Sequence, residues 1–115
     1  MQSKPNPEFE AECIRRIQAG EKHLFHELIR PCERPVYFLL LSILRNDTDA
    51  EDAAQETVIK VYRNLHLFRG ESQFRTWVLS IARNEGLTRL RQAGAWLTID
   101  PQAVAACFNN PDKEI

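Results

Sequence analysis

The stretch Asp49–Arg91, "DAEDAAQETVIKVYRNLHLFRGESQFRTWVLSIARNEGLTRLR", decides the fold. Its first half opens on acids and carries apolar residues at Ala54, Val58, Val61 and Leu65, a spacing of three to four that predicts one helical face. Thr48 with Glu51 forms a capping box, and Asp47, Thr48 or Asp49 can cap, so a helix is expected from about 49 to 65. "HLFRGE" then reads as a loop pivoting on Gly70. Ser72 is expected to cap a last long helix, about 73 to 92, with a stripe of Phe74, Trp77 or Val78, Ile81 and Ala82, then Thr88 or Leu87, and an end at Gly94.

Upstream, Asn6 stands as a cap, Pro7 at a first helical position and Gly20 as a stop, so a first helix spans about 7 to 19. "EKHLFHELIR" continues as a second helical piece, which Pro31 ends or kinks. Pro35 fits the first turn of a further helix, about 35 to 45, whose apolar run Val36–Leu44 makes it central. That run is about half of what a membrane span needs. The start "MQSKPNPEFE" is polar and acidic and is no signal peptide. Downstream, the chain from Gly94 to Ile115 loses period; Asp100-Pro101 opens a short helix to about Phe108, within a loosely attached linker or tail.

No segment alternates as a strand would. The chain of 115 residues, with 43% apolar and 27% charged residues, has the mixture of one globular domain. It is expected to be all-α: a compact bundle of four to five helices with a long final helix and a flexible C-terminal tail. The domain is placed at 1–92 and the linker or tail at 93–115. Cys13, Cys32 and Cys107 are odd in number, widely spaced and without a CxxC pair, so they read as free thiols in a reducing cytoplasm, two of them packed.

Catalytic signatures are absent: there is no P-loop, no GxSxG and no GxGxxG. His23 and His26 lack a second ligand pair, so neither a metal nor another cofactor is expected. Binding chemistry remains. Net charge is only −1, but its distribution is uneven. Asp47, Asp49, Glu51, Asp52 and Glu56 are all negative. Beyond them Lys60, Arg63, Arg69, Arg75, Arg83, Arg89 and Arg91 face only Glu71 and Glu85. Either two partners are implied, or two solvated faces with acids at a helix start. The acidic helix offers Asp52, Gln55, Glu56, Ile59 and Lys60 to a helical partner. The loop offers Phe68 for stacking, Arg69 for phosphate and backbone around Gly70 for close approach, which suits a single-stranded or flipped base. Asn84 can read a base edge and Arg83 can hold a phosphate.

The order "DAED-x-x-QE", then "FRGES-x-F-x-TW", then "I-A-x-N" resembles region two of bacterial RNA polymerase sigma factors, nearest the extracytoplasmic-function (ECF) group. A weaker likeness reaches back to about residue 21. The resemblance implies a promoter-recognition domain that works with core RNA polymerase in the bacterial cytoplasm, without catalysis of its own and without membrane insertion. It implies that Asp49, Asp52, Gln55, Glu56 and Ile59 dock on the clamp helices of the largest-type polymerase subunit. It implies that the non-template strand of the minus-ten element lies on the loop and last helix, with one base flipped into a pocket of Leu65, Phe68, Arg69, Gly70, Glu71, Ser72 and Phe74. Ile81 and Asn84 would read an adjacent base; Arg75, Arg83, Arg89 and Arg91 would contact phosphates. An anti-sigma factor is a further partner, and a module that binds such a regulator without reading DNA is the rival reading. Phe74 and Trp77 read mainly as core, Phe68 equally as a staple under the loop, and Arg89 and Arg91 also as helix-end cations. No Trp pair follows Trp77, where Ser80 and Ile81 stand, which implies weaker intrinsic DNA melting than in primary sigma factors. Residues 93–115 are too few for the family's helix-turn-helix region four, so the chain reads as an isolated region two.

Overall fold

The computed structural model describes residues 7–93. Among them stand four α-helices, a single 3-10 turn and no strand: α1 (Pro7–Gln18), α2 (Leu24–Leu44), α3 (Asp47–Arg63), the turn Leu65–Leu67, and α4 (Phe74–Gln92). The expected cap at Asn6, the helix stop at Gly94, the short helix from Asp100 and Cys107 lie outside the described residues.

α1 places Glu8 and Glu10 in its first turn and Arg15 and Arg16 in its last, complementing the helix dipole. Its end is a Schellman motif. Gly20, at φ 115°, donates to the Ile17 carbonyl, and Glu21 donates to that of Arg16. Cys13, Ile14 and Ile17 face inward.

α2 departs from expectation. The chain does not break at Pro31 or restart at Pro35; one helix of 21 residues runs through both prolines. Each proline removes a backbone donor and costs on the order of 3 kcal/mol in a helix interior. Burial outweighs this, because Leu28, Ile29, Cys32, Val36, Leu39, Leu40 and Ile43 all lie in the core. Each fully buried aliphatic side chain contributes roughly 1.5–3 kcal/mol. The helix stops at Arg45, a left-handed residue (φ 59°, ψ 30°) whose N–H donates to Leu41.

A two-residue connection turns α3 back along α2. The cap is Asn46, not Asp47, Thr48 or Asp49: its Oδ1 accepts from the Asp49 N–H at 2.9 Å. The helix therefore starts at Asp47 and ends at Arg63. Its buried face is Ala50, Ala53, Thr57 and Val61, while Ala54 and Val58 are only half-buried. Thr57 can be fully buried because its hydroxyl donates to the Ala53 carbonyl at 2.8 Å.

α4 packs on both α2 and α3. Arg75 meets Pro31 near one end, and Gly86 meets Leu40 and Ile43 further on, so α2 and α4 run in the same direction. A Cβ on Gly86 would lie 2.9 Å from Leu40 Cδ2 and 3.0 Å from Ile43 Cδ1, so the absence of a side chain sets this close approach. Ser72 does not cap α4. The cap position is Gln73, which makes no side-chain cap bond, and the Ser72 hydroxyl donates to the Gln73 carbonyl instead. Phe74, Val78, Leu79, Ala82, Gly86 and Leu90 are buried, with Trp77, Ile81 and Leu87 half-buried and Thr88 exposed. Cys13 and Cys32 are buried free thiols, as expected, and burial pushes the Cys32 thiol up to about 12. No described helix is long and apolar enough to cross a membrane.

Candidate nucleic-acid and protein interface

The end of α3 is closed by Asn64, whose Nδ2 donates to the Lys60 carbonyl at 2.9 Å. The chain then tightens into the 3-10 turn, with Leu67 donating to Asn64 and Phe68 to Leu65. Leu65 anchors this turn in the core. Phe68 leaves it in extended conformation, and its ring stacks edge-on to Phe74 (5.6 Å between centroids) and tilted to Trp77 (5.2 Å). These three rings carry the loop. Phe68 itself stays half-buried, with part of its ring open.

Arg69, Gly70, Glu71 and Ser72 follow, all exposed. Gly70 holds φ 77°, and no atom lies within 4 Å of where its Cβ would stand. The demand for glycine here comes from the torsion alone. Leu67, Phe68, Arg69, Glu71, Ser72 and Trp77 together line an open depression of about 310 Å³. Four of these were expected in a base pocket: Phe68, Arg69, Glu71 and Ser72. Leu65 and Phe74 were expected there too, but both are buried beneath the loop as its support. Leu67, 56% exposed, and Trp77 line the depression and were not placed there by sequence reasoning. Trp77 was assigned to the core because it shares helical spacing with Phe74.

Along α4, Trp77, Ile81 and Asn84 follow at i, i+4 and i+7, which puts them in one row about 10 Å long leading away from the depression. Arg83 and Asn84 are exposed, and Ile81 is half-buried between turns. The four arginines expected on phosphates separate into two kinds. Arg83 and Arg91 are exposed. Arg75 is not available: it is buried and its Nη2 donates to the Pro31 carbonyl at 3.3 Å. Arg89 is engaged, with Nε donating to Glu85 Oε2 at 2.6 Å and Nη1 to Asp52 Oδ2 at 3.1 Å.

Glu85 is the centre of that second cluster. It is buried, and its other oxygen accepts from Lys60 Nζ at 2.5 Å. Burial alone would push its carboxyl up, but the hydrogen bonds and charges of Lys60 and Arg89 outweigh this and hold it below the usual range. Sequence reasoning counted Glu85 only as one of two acids in a basic half. Its helical spacing to Arg89, four residues on, was the signal available.

On α3, Asp49, Asp52 and Gln55 are exposed, Glu56 is half-buried, and Ile59 is 43% exposed. Tyr62 extends this face: it is 38% exposed and lies edge-on to Phe25, with centroids 5.0 Å apart. Asp52 ties this face of α3 to the last turns of α4 through Arg89. Among the described residues, no group of three or more His, Cys, Asp or Glu is placed to hold a metal ion.

One helical bundle thus carries an acidic, largely exposed face on α3 and an aromatic, arginine-bearing depression ahead of α4. The chain belongs to the Sigma-70 region 2 family, whose model matches residues 28–95, more than half of its length. It is similar to the RNA polymerase sigma-H factor of Pseudomonas aeruginosa, 34% identical over 87 residues covering 76% of this chain and 45% of that protein. It is similar to the ECF RNA polymerase sigma-E factor of Haemophilus influenzae, 37% identical over 70% of this chain and 42% of that protein. The ECF RNA polymerase sigma factor SigW of Bacillus subtilis is 32% identical over 69% of this chain and 42% of its own length. The chain thus spans less than half the length of these relatives. The family and the ECF likeness expected from the sequence are both found.

Proposed function

We propose that this chain is the promoter-recognition part of an ECF sigma factor, binding core RNA polymerase through α3 and single-stranded minus-ten DNA through the loop and α4. It works in the bacterial cytoplasm and has no catalysis of its own. The observation that carries the reading is the depression lined by Phe68 and Trp77 together with Arg69, Glu71 and Ser72, with Arg83 and Asn84 exposed further along α4. Aromatic rings offer a stacking surface to any base, and Glu71 and Ser72 offer an acceptor and a donor to its edge. Arg69 and Arg83 supply cations for the flanking phosphates, and the paired donor and acceptor of Asn84 suit a neighbouring base.

Asp49, Asp52, Gln55, Glu56 and Ile59 form the polymerase side, a mixed face of acids around one apolar residue that fits the clamp helices of the largest-type subunit. An anti-sigma factor is a further partner for the same surfaces. The experiment is anisotropy with labelled single-stranded minus-ten DNA. Arg69→Ala is expected to weaken binding to every sequence, and Asn84→Ala to relax preference at one base by about tenfold. If both variants keep wild-type affinity and sequence preference, the DNA-side assignment is wrong.

A further inference from the structure

We infer that Arg75 is a positioning residue: it fixes the first turn of α4, and with it the loop depression, by occupying a carbonyl that Pro35 leaves open inside α2. In an uninterrupted helix the N–H of residue 35 would bond the carbonyl of residue 31. Pro35 has no N–H, so the Pro31 carbonyl needs another donor. Arg75 supplies it across the helix–helix contact, with its Nη2 3.3 Å away and only 8% of the residue exposed.

The place of Arg75 gives this bond its consequence. It is the second residue of α4, and the cap position before it makes no side-chain bond. It sits between Phe74 and Trp77, which hold the ring of Phe68. Glu10 on α1 and Cys32 on α2, both pushed up by burial, are pulled back by its charge, so the guanidinium lies where α1, α2 and α4 meet. Further along, Val78, Leu79, Ala82 and Leu90 hold α4 to the bundle without it. Arg75 therefore sets the entry of the helix rather than its existence. The defect at Pro35 is the socket, and the arginine is the peg.

The role in base binding rests on the function proposed above; the role in fixing the turn does not. The test is a cycle on the full chain in a Trp96→Phe background, so that Trp77 is the single tryptophan. Arg75→Met keeps the stem and removes the donors. Pro35→Ala gives α2 its own N–H for the Pro31 carbonyl. Three readings are taken: the urea midpoint, acrylamide quenching of Trp77, and binding of a short single strand selected by this chain from a random pool. That strand is compared with copies lacking one base at a time, and the largest loss defines the base increment.

Arg75→Met is expected to lower the midpoint, raise Trp77 quenching and shrink the base increment by about fivefold or more, the scale of one stacked base. Arg75→Lys should restore part of the quenching protection. The double variant Pro35→Ala/Arg75→Met should regain midpoint relative to Arg75→Met, because position 35 becomes helix-favouring and its N–H reaches the Pro31 carbonyl, yet keep the quenching and weak base increment of Arg75→Met. Recovery of the quenching together with the midpoint would show that the arginine only satisfied an acceptor, and would overturn the inference. A wild type that selects no strand would sink the proposed function, while the Trp77 reading would still decide the role of Arg75.

Discussion

Replacing Glu85 by Gln removes one charge and almost no volume. Two charged hydrogen bonds meet on this carboxylate, from Lys60 at 2.5 Å and from Arg89 at 2.6 Å. Hydrogen bonds to charged groups contribute about 1.5–3 kcal/mol each. The full sum is not expected. The Lys60 and Arg89 side chains are 43% and 29% exposed, so each can turn to water when its partner is gone. The Gln oxygen also keeps one acceptor. A net loss of about 2 kcal/mol at pH 7 follows, below the 3–5 kcal/mol of a fully buried broken pair. For a domain of this size it corresponds to a fall in Tm of roughly 8–16 °C. The assay is urea unfolding of wild type and Glu85→Gln from pH 7 down to pH 3, at constant ionic strength. The folded carboxyl titrates below its unfolded value of about 4.3, so its contribution is complete above that pH and vanishes as pH falls through the folded value. The gap between the two proteins should therefore close at acid pH with the m-value unchanged. A gap under about 0.5 kcal/mol at pH 7, or one that stays constant into acid, would refute the role of Glu85 as the clasp between α3 and α4.

Gly86→Ala sets a helix gain of about 1 kcal/mol against an overpacking cost of about 1–3 kcal/mol at Leu40 and Ile43, so net destabilisation is expected, and a larger loss for Gly86→Val; urea midpoints check both. Gly70→Ala meets no atom but must hold φ 77°, at a cost of about 1–2 kcal/mol. That cost is local, so single-strand affinity should fall by more than the global midpoint does. The Cys32 thiol, pushed up to about 12 by burial, should resist iodoacetamide at pH 8 and react once urea opens the fold; rapid alkylation of the folded chain, read by mass, would contradict its placement.

The bundle was readable because its helices announce themselves by period and punctuation. The Gly20 stop and the acids ahead of Ala53 both gave helices where expected. Boundaries failed where packing overrides local preference. At Pro31 and Pro35 the sequence shows two breaks, and the core positions Leu28, Cys32, Val36 and Leu39 carry the helix across them. The α3 stripe was misjudged because Thr57 counts as polar until its hydroxyl finds the Ala53 carbonyl. At the site, the exposed segment Arg69–Ser72 could be read from its composition, since the loop needs Gly70 and holds little that a core would use. Burial separated the arginines, and that depends on contacts far along the chain: Arg75 with Pro31, and Arg89 with Asp52. Within α4 only the i,i+4 pair Glu85–Arg89 could have set Arg89 apart from Arg83, and no spacing there sets Arg75 apart.

The central claim is that this surface reads single-stranded DNA, and affinity measured against salt tests it most directly. Anisotropy of the full chain with the minus-ten non-template strand and with a scrambled strand of equal length, across a range of salt concentrations, gives both slope and preference. Log affinity is expected to fall linearly with log salt, with a slope of about −1.4 for two single-strand phosphates held by Arg69 and Arg83. A preference for the minus-ten strand should persist at every salt. A flat salt dependence, or equal binding of the two strands, would contradict the claim and leave a protein-binding module in its place.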